Sequence, residues 1–153
     1  MANRELVWKK KLSRTDAQRQ KGNQTGDIRL TQAGFRHQGK LIDHTRYFRD
    51  YVFGEGDWNK VTFRGKVDRE VATFIFNVLI GEDKKGSFLM DVSHKPSGEA
   101  SQRNYTTGLR WGPVFMGYLM NQADVSGMVL NMFKLDNGRF EMVISEEVEL
   151  DSS

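Results

Sequence analysis

The run Val71-Ala72-Thr73-Phe74-Ile75-Phe76-Asn77-Val78-Leu79-Ile80 constrains the fold of this chain more than any other stretch. Ala72, Phe74, Phe76, Val78 and Ile80 fall on one alternating set, and Val71, Ile75 and Leu79 make the other set apolar as well. A β-branched and aromatic run that is apolar on both faces has to be flanked and covered, which predicts a central strand. Gly81 to Gly86 reads as a turn, after which Phe88-Leu89-Met90-Asp91-Val92 returns antiparallel.

The remaining elements are shorter. Leu6-Val7-Trp8 reads as one strand and Ile28-Arg29-Leu30-Thr31, which alternates and stops at Gly34, as another. Together they predict an antiparallel hairpin with an oversized tip at one edge of the sheet. Val61 and Phe63 alternate with polar neighbours, and Met128 to Leu135 and Phe140 to Ile144 flank Asp136-Asn137-Gly138, a strong hairpin signal. Asp43 is placed to cap a short helix that packs Tyr47, Phe48, Tyr51 and Val52 and stops at Gly54; Pro113 opens a second through Tyr118, Leu119 and Met120. About seven strands and two short helices over 1–153 predict a single mainly β domain, closed into a barrel or sandwich, with no repeat at a solenoid period.

Two stretches contribute nothing to such a core. Lys11 to Thr31 (KLSRTDAQRQKGNQTGDIRLT) has Leu12 as its only large apolar residue before Ile28, and Ser93 to Gly112 (SHKPSGEASQRNYTTGLRWG) is of the same kind. Long polar segments at strand ends are where binding residues concentrate. Charge is divided in the same sense. Lys9 to Lys21 carries six positive charges and one negative, whereas Asp136 to Asp151 carries six acids and one base. A basic end of this kind suits an anionic partner, although charge runs are also ordinary solvated faces.

Several classes are excluded or disfavoured. The chain has no cysteine, which removes disulfides, thiolate nucleophiles and Cys-ligated zinc and fits a reducing compartment. Its three histidines, His37, His44 and His94, are not spaced as a metal-binding helix pair, so neither metal nor cofactor is predicted. No apolar run is long enough to cross a bilayer and MANRELVWKKK is no signal peptide, so the expectation is a cytoplasmic protein without a membrane partner.

The two polar stretches carry the residue types that read base edges in the major groove. Arg reads guanine, Asn or Gln reads adenine, and an acid accepts from the cytosine amino group. The first offers Arg14, Asp16, Gln18, Arg19, Gln20 and Asn23; the second offers Glu99, Gln102, Arg103, Asn104 and Arg110. Around them, Lys10, Lys11, Ser13, Thr15, Lys21 and Thr25, and Ser93, His94, Lys95, Ser97, Ser101, Thr106 and Thr107, suit contacts to phosphate. Tyr105 and Trp111 could stack on bases, which would favour single strands or RNA. For Trp111, whose neighbour Pro113 starts a helix, anchoring the root of the stretch in the core is the better reading.

With IDHTRYFRDYVFG between them, the two stretches resemble the C-terminal DNA-recognition domain of NgoFVII-type restriction endonucleases, and the resemblance covers nearly the whole chain. It implies a seven-stranded open pseudobarrel of the plant B-three kind, flanked by two short helices, with an N-arm at about Lys11 to Gly26 and a C-arm at about Ser93 to Trp111 gripping double-stranded DNA in the major groove. It also implies that cleavage belongs to a phospholipase-D-like nuclease domain or subunit. This chain lacks that nuclease's spacing, since His37-Gln38-Gly39-Lys40-Leu41-Ile42-Asp43 does not match and His37 reads as a loop residue. Asp68 with Glu82-Asp83-Lys84 has the letters of another nuclease signature, but the triplet reads as a turn. The expectation is therefore a non-enzymatic, sequence-specific DNA-binding domain with a short site rich in G and C. A nuclease in its own right, a module for single strands, RNA or protein, and a reader of methylated cytosine are the rivals.

Overall fold

A computed structural model of the chain describes residues 4–14, 16–18, 26–44, 46–63, 65–95, 107–121 and 124–146. In chain order the strands are β1 (Arg4–Lys11), β2 (Asp27–Arg29), β3 (Arg36–His37), β4 (Lys40–Leu41), β5 (Asn59–Phe63), β6 (Lys66–Ile80), β7 (Asp83–His94), β8 (Thr107–Arg110), β9 (Val129–Leu135) and β10 (Phe140–Ser145). A single π-helical turn (Tyr47–Val52) and one α-helix, α1 (Pro113–Asn121), complete the described elements.

Seven strands follow one another edge to edge in the order β1-β9-β10-β6-β7-β8-β2, and β5 pairs with the first part of β6. The fold is mainly β, an open sheet curled into a half-barrel. The apolar run does form the central strand: Ala72, Phe74, Phe76 and Val78 are buried in the curl, while Val71, Ile75 and Leu79 are half-buried on the outer face. Along its later half β6 is gripped from both sides, by β7 antiparallel and by β10 parallel. Phe53, Phe74, Phe76 and Phe140 meet inside at ring-centroid distances of 4.9 to 6.4 Å, in the tilted, edge-on and offset-stacked arrangements that aromatic quadrupoles favour.

One expectation fails in an instructive way. β1 and β2 do not form a hairpin: β1 pairs with β9 and β2 with β8, so they are the two opposite edges of the sheet. A connection of this length does not impose the pairing that a two-residue turn would, and β1 finds a longer partner elsewhere. The curl then brings the edges together, since the Trp8 indole N–H donates to the Thr31 carbonyl at 2.8 Å across the opening. A register shift between Leu6 and Trp8 lets the consecutive side chains of Val7 and Trp8 both turn inward.

Other differences are local. The turn between β6 and β7 is confined to Gly81-Glu82, and β7 starts at Asp83 rather than Phe88. Instead of an α-helix after Asp43 there is the π-helical turn, whose entry is held by the Arg46 and Tyr47 amides donating to the Asp43 carbonyl at 3.0 and 2.8 Å. A Cβ at Gly54 would stand 2.1 Å from the Asp50 carbonyl oxygen, so only glycine fits there. His37 is on β3 and not in a plain loop; the β3–β4 hairpin turns at Gln38 and Gly39, both at positive φ, and His37 Nε2 lies 2.7 Å from Glu5 Oε2. α1 packs Phe115 and Leu119 into the core beside Trp111. No helix among the described residues is long and apolar enough to cross a membrane.

If Trp8 closes the opening, Trp8→Phe removes the bond to Thr31 and leaves a partly filled cavity. We expect a loss of about 2 kcal/mol in unfolding free energy by urea titration, with the denaturant slope unchanged.

Candidate nucleic-acid interface

Both polar stretches are rooted on β8, a strand of four residues. β2 lies on one side of it and β7 on the other, with Asp27, Arg110 and Asp91 in one cross-strand row and Arg29, Gly108 and Ser93 in the next row on the same face. The first stretch enters the sheet at Asp27, level with Arg110 at one end of β8. The second leaves β7 after His94, which pairs with Thr107 at the other end. Roughly 10 Å of strand separates the two roots.

The root of the first stretch is a hydrogen-bonded knot. The Ser13 amide donates to Asp16 Oδ2 and the Asp16 amide to Ser13 Oγ, both at 3.0 Å, in the reciprocal manner of a capping box. Lys10 Nζ lies 2.9 Å from the same Asp16 oxygen. Gln18 takes a left-handed backbone (φ 62°), receives the Gly26 amide on Oε1 at 2.8 Å, and donates through Nε2 to the Asp16 carbonyl at 3.2 Å. The Trp111 indole N–H donates to that carbonyl too, at 3.0 Å, and the Trp111 amide donates to the Gly26 carbonyl at 2.9 Å. Trp111 is thus the core anchor expected of it and not a stacking platform.

This knot corrects two expectations. Asp16 and Gln18, read from sequence as acceptors and donors for bases, are 7% and 0% exposed and have their polar atoms committed inward. Thr107, expected on phosphate, is also buried: its carbonyl accepts from the Leu30 amide at 3.0 Å and its hydroxyl shares a 2.9 Å hydrogen bond with His94 Nδ1. Lys10 is held against Asp16. Lys11, Ser13, Arg14 and Arg110 are exposed, and Ser93, His94 and Lys95 half-buried. Thr15, Arg19, Gln20, Lys21, Asn23 and Thr25 of the first stretch lie outside the described residues, as do Ser97, Glu99, Ser101, Gln102, Arg103, Asn104, Tyr105 and Thr106 of the second.

Between the roots, the outer face of the sheet forms a groove of about 330 Å³ lined by Asp27, Arg69, Val71, Asp91, Ser93, Lys95, Gly108 and Arg110. Arg110 Nε lies 3.4 Å from Asp27 Oδ1, and the Thr73 hydroxyl donates to Asp91 Oδ1 at 2.6 Å. Partial burial raises the Asp27 pKa, against the pull of the Arg110 and Arg69 guanidinium groups. Arg69, Asp27 and Asp91 did not stand out in the sequence; the only signal was their outward phase in strands whose other set is apolar.

His94 sits at the base of the second stretch opposite Glu70, whose carboxylate accepts from Arg49 Nε at 2.9 Å. Burial lowers the His94 pKa, Arg49 lowers it further, and Glu70 and Asp50 oppose the shift. Asp68 and the Glu82 turn stand near opposite ends of β6, roughly 40 Å of extended strand apart. Among the described residues, no group of three or more His, Asp or Glu could hold a metal ion. Compared with protein-family models, with curated proteins and with solved structures, the chain finds no match in any of the three.

Two measurements follow. Gln18→Ala strands the Gly26 amide and should cost about 1 to 3 kcal/mol of stability, whereas an ordinary surface residue would stay within about 0.5 kcal/mol. Because the folded-state pKa of His94 is depressed, the unfolded chain takes up that proton first. Its contribution should fall as pH drops below the ordinary value of 6.5 and level off once the folded histidine is also protonated. His94→Gln should remove this component when urea titrations at about pH 7.5 and about pH 5.5 are compared.

Proposed function

We propose that this chain is a sequence-specific double-stranded DNA-binding domain that grips the duplex with its two polar stretches and carries no catalysis of its own. One observation supports the reading most. Two hydrophilic stretches some eighty residues apart in the chain, each rich in groups suited to base edges, are rooted at the two ends of one short strand and flank one groove. Their roots are held by buried hydrogen bonds, the kind of support that positioned recognition side chains need. The curled, open sheet is compatible with the pseudobarrel of NgoFVII-type restriction endonucleases that the sequence resembles, and on that resemblance the partner is a phospholipase-D-like nuclease domain or subunit.

With Asp16 and Gln18 withdrawn into the scaffold, base reading in the first stretch rests on Arg14 together with the residues from Arg19 to Asn23. The acids and amides of the second stretch carry the rest. The preference for a short site rich in G and C now leans on Arg14 and Arg103 for guanine and on Glu99 for cytosine.

Selection from a random duplex pool tests this reading, and the expected winner is a short G- and C-containing site. Arg14→Ala or Arg103→Ala should then cost about 1 to 3 kcal/mol of discrimination, while Lys21→Ala weakens all duplexes alike. Equal affinity for single strands at fixed salt, or magnesium-dependent cutting of a plasmid by the purified chain, would replace the reading with one of its rivals.

A further inference from the structure

The groove between the two roots has a feature that recognition by the stretches does not use. Asp27, the first residue of β2, places its carboxylate beside the Arg110 guanidinium at 3.4 Å, and the Arg69 guanidinium, from β6 beyond both β8 and β7, acts on the same carboxylate. Asp27, Arg69 and Arg110 all line this one groove, although β2 and β6 lie three strands apart in the sheet. Lys95 completes the lining at the end where the second stretch leaves. One carboxylate thus shares a polar groove with two arginines.

We propose that this groove is a phosphate site in which Asp27 stands in for the anion, and that a backbone phosphate displaces it between Arg69 and Arg110. Arginine forks suit phosphate oxygens, which carry more charge and more acceptor sites than one carboxylate, so an exchange is favourable once the phosphate arrives. Asp91 stays out of the exchange because Thr73 donates to it. The concavity is wide enough for a phosphate and its two ester oxygens. A duplex held by the two stretches would pass its backbone over this spot, so the site deepens the DNA-binding reading and rests on it for the source of the phosphate. Such a contact adds affinity and register without reading sequence.

The test uses the full-length chain with two probes. In the first, inorganic pyrophosphate is titrated while the arginine side-chain resonances are followed. The expected result is a saturable shift of Arg69 and Arg110 that Asp27→Asn strengthens about fivefold, with Glu82→Gln, an equal charge change in the exposed β6–β7 turn, leaving it unchanged. In the second, random-sequence duplex replaces pyrophosphate. Arg69→Ala and Arg110→Ala should each weaken binding on all sequences alike and lower the slope of log affinity against log salt by about one, while Arg110→Lys keeps the slope. If pyrophosphate leaves both arginines unmoved, or Asp27→Asn behaves like Glu82→Gln, the phosphate site is wrong. If pyrophosphate binds as described and no duplex does, the site stands and the DNA-binding reading falls.

Discussion

The indole N–H of Trp111 is the bond on which the arrangement of the candidate interface turns. Burying a tryptophan ring is strongly favourable only if its one polar atom finds an acceptor. Here the acceptor is the main-chain carbonyl of Asp16, ninety-five residues away in sequence. That pairing welds the first polar stretch to the end of β8, and the Asp16 side chain, Ser13, Lys10 and Gln18 close around the same point. Immediately behind, Gly112 adopts φ 86° in a place where a Cβ would lie 2.7 Å from the Leu89 carbonyl oxygen. No side chain can stand there, so the chain turns at once from β8 into α1 and Phe115 comes back onto Trp111.

The curl of the sheet and the placement of the stretches are linked. β1 and β2 are the two ends of the seven-strand path, and the chain between them holds Leu12 and Ala17 in the core. The second stretch is the tip of the β7–β8 hairpin at the β2 end. A continuous core of tryptophan, phenylalanine and aliphatic side chains fills the inside of the curl, so both stretches begin from backbone that is covered on one side. The groove lies on the outer face of the same sheet, with lining residues from the four strands β2, β8, β7 and β6.

How much of this could be read in the amino-acid order depended on how local the cause was. The alternation of Ala72, Phe74, Phe76 and Val78 announces a central strand because period two is a property of a single strand, and Asp136-Asn137-Gly138 announces its hairpin because turn chemistry is local. Pro113 marked the start of α1 for the same reason. The pairing of β1 with β9, and of β10 parallel to β6, left no local trace and depends on long-range burial. Gln38-Gly39 is a local turn signal of the same kind, and the β3–β4 hairpin turns there. At the site, side-chain type identified the stretches but could not separate members of the knot from exposed residues: Asp16 and Arg14 are two positions apart, and only the fold buries one and exposes the other. Arg69 lies in the charged run Lys66-Val67-Asp68-Arg69-Glu70 and Asp27 near the end of the first polar stretch, and nothing local joins the two; register alone brings them to one groove.

The pairing of β1 with β9 also bears on how the protein comes into being. Arg4 meets Leu135 and Lys11 meets Val129, so once β1 has been synthesised it waits for more than a hundred further residues before its ladder can close. Until then Val7 and Trp8, which end fully covered, have no permanent shelter, and Asp16 and Trp111 cannot yet hold the first stretch in place. Topologies dominated by such distant pairings fold slowly and expose apolar edges on the way. The lysines at Lys9, Lys10 and Lys11 sit on that waiting strand, and their mutual repulsion between chains is a built-in guard against premature edge-to-edge association.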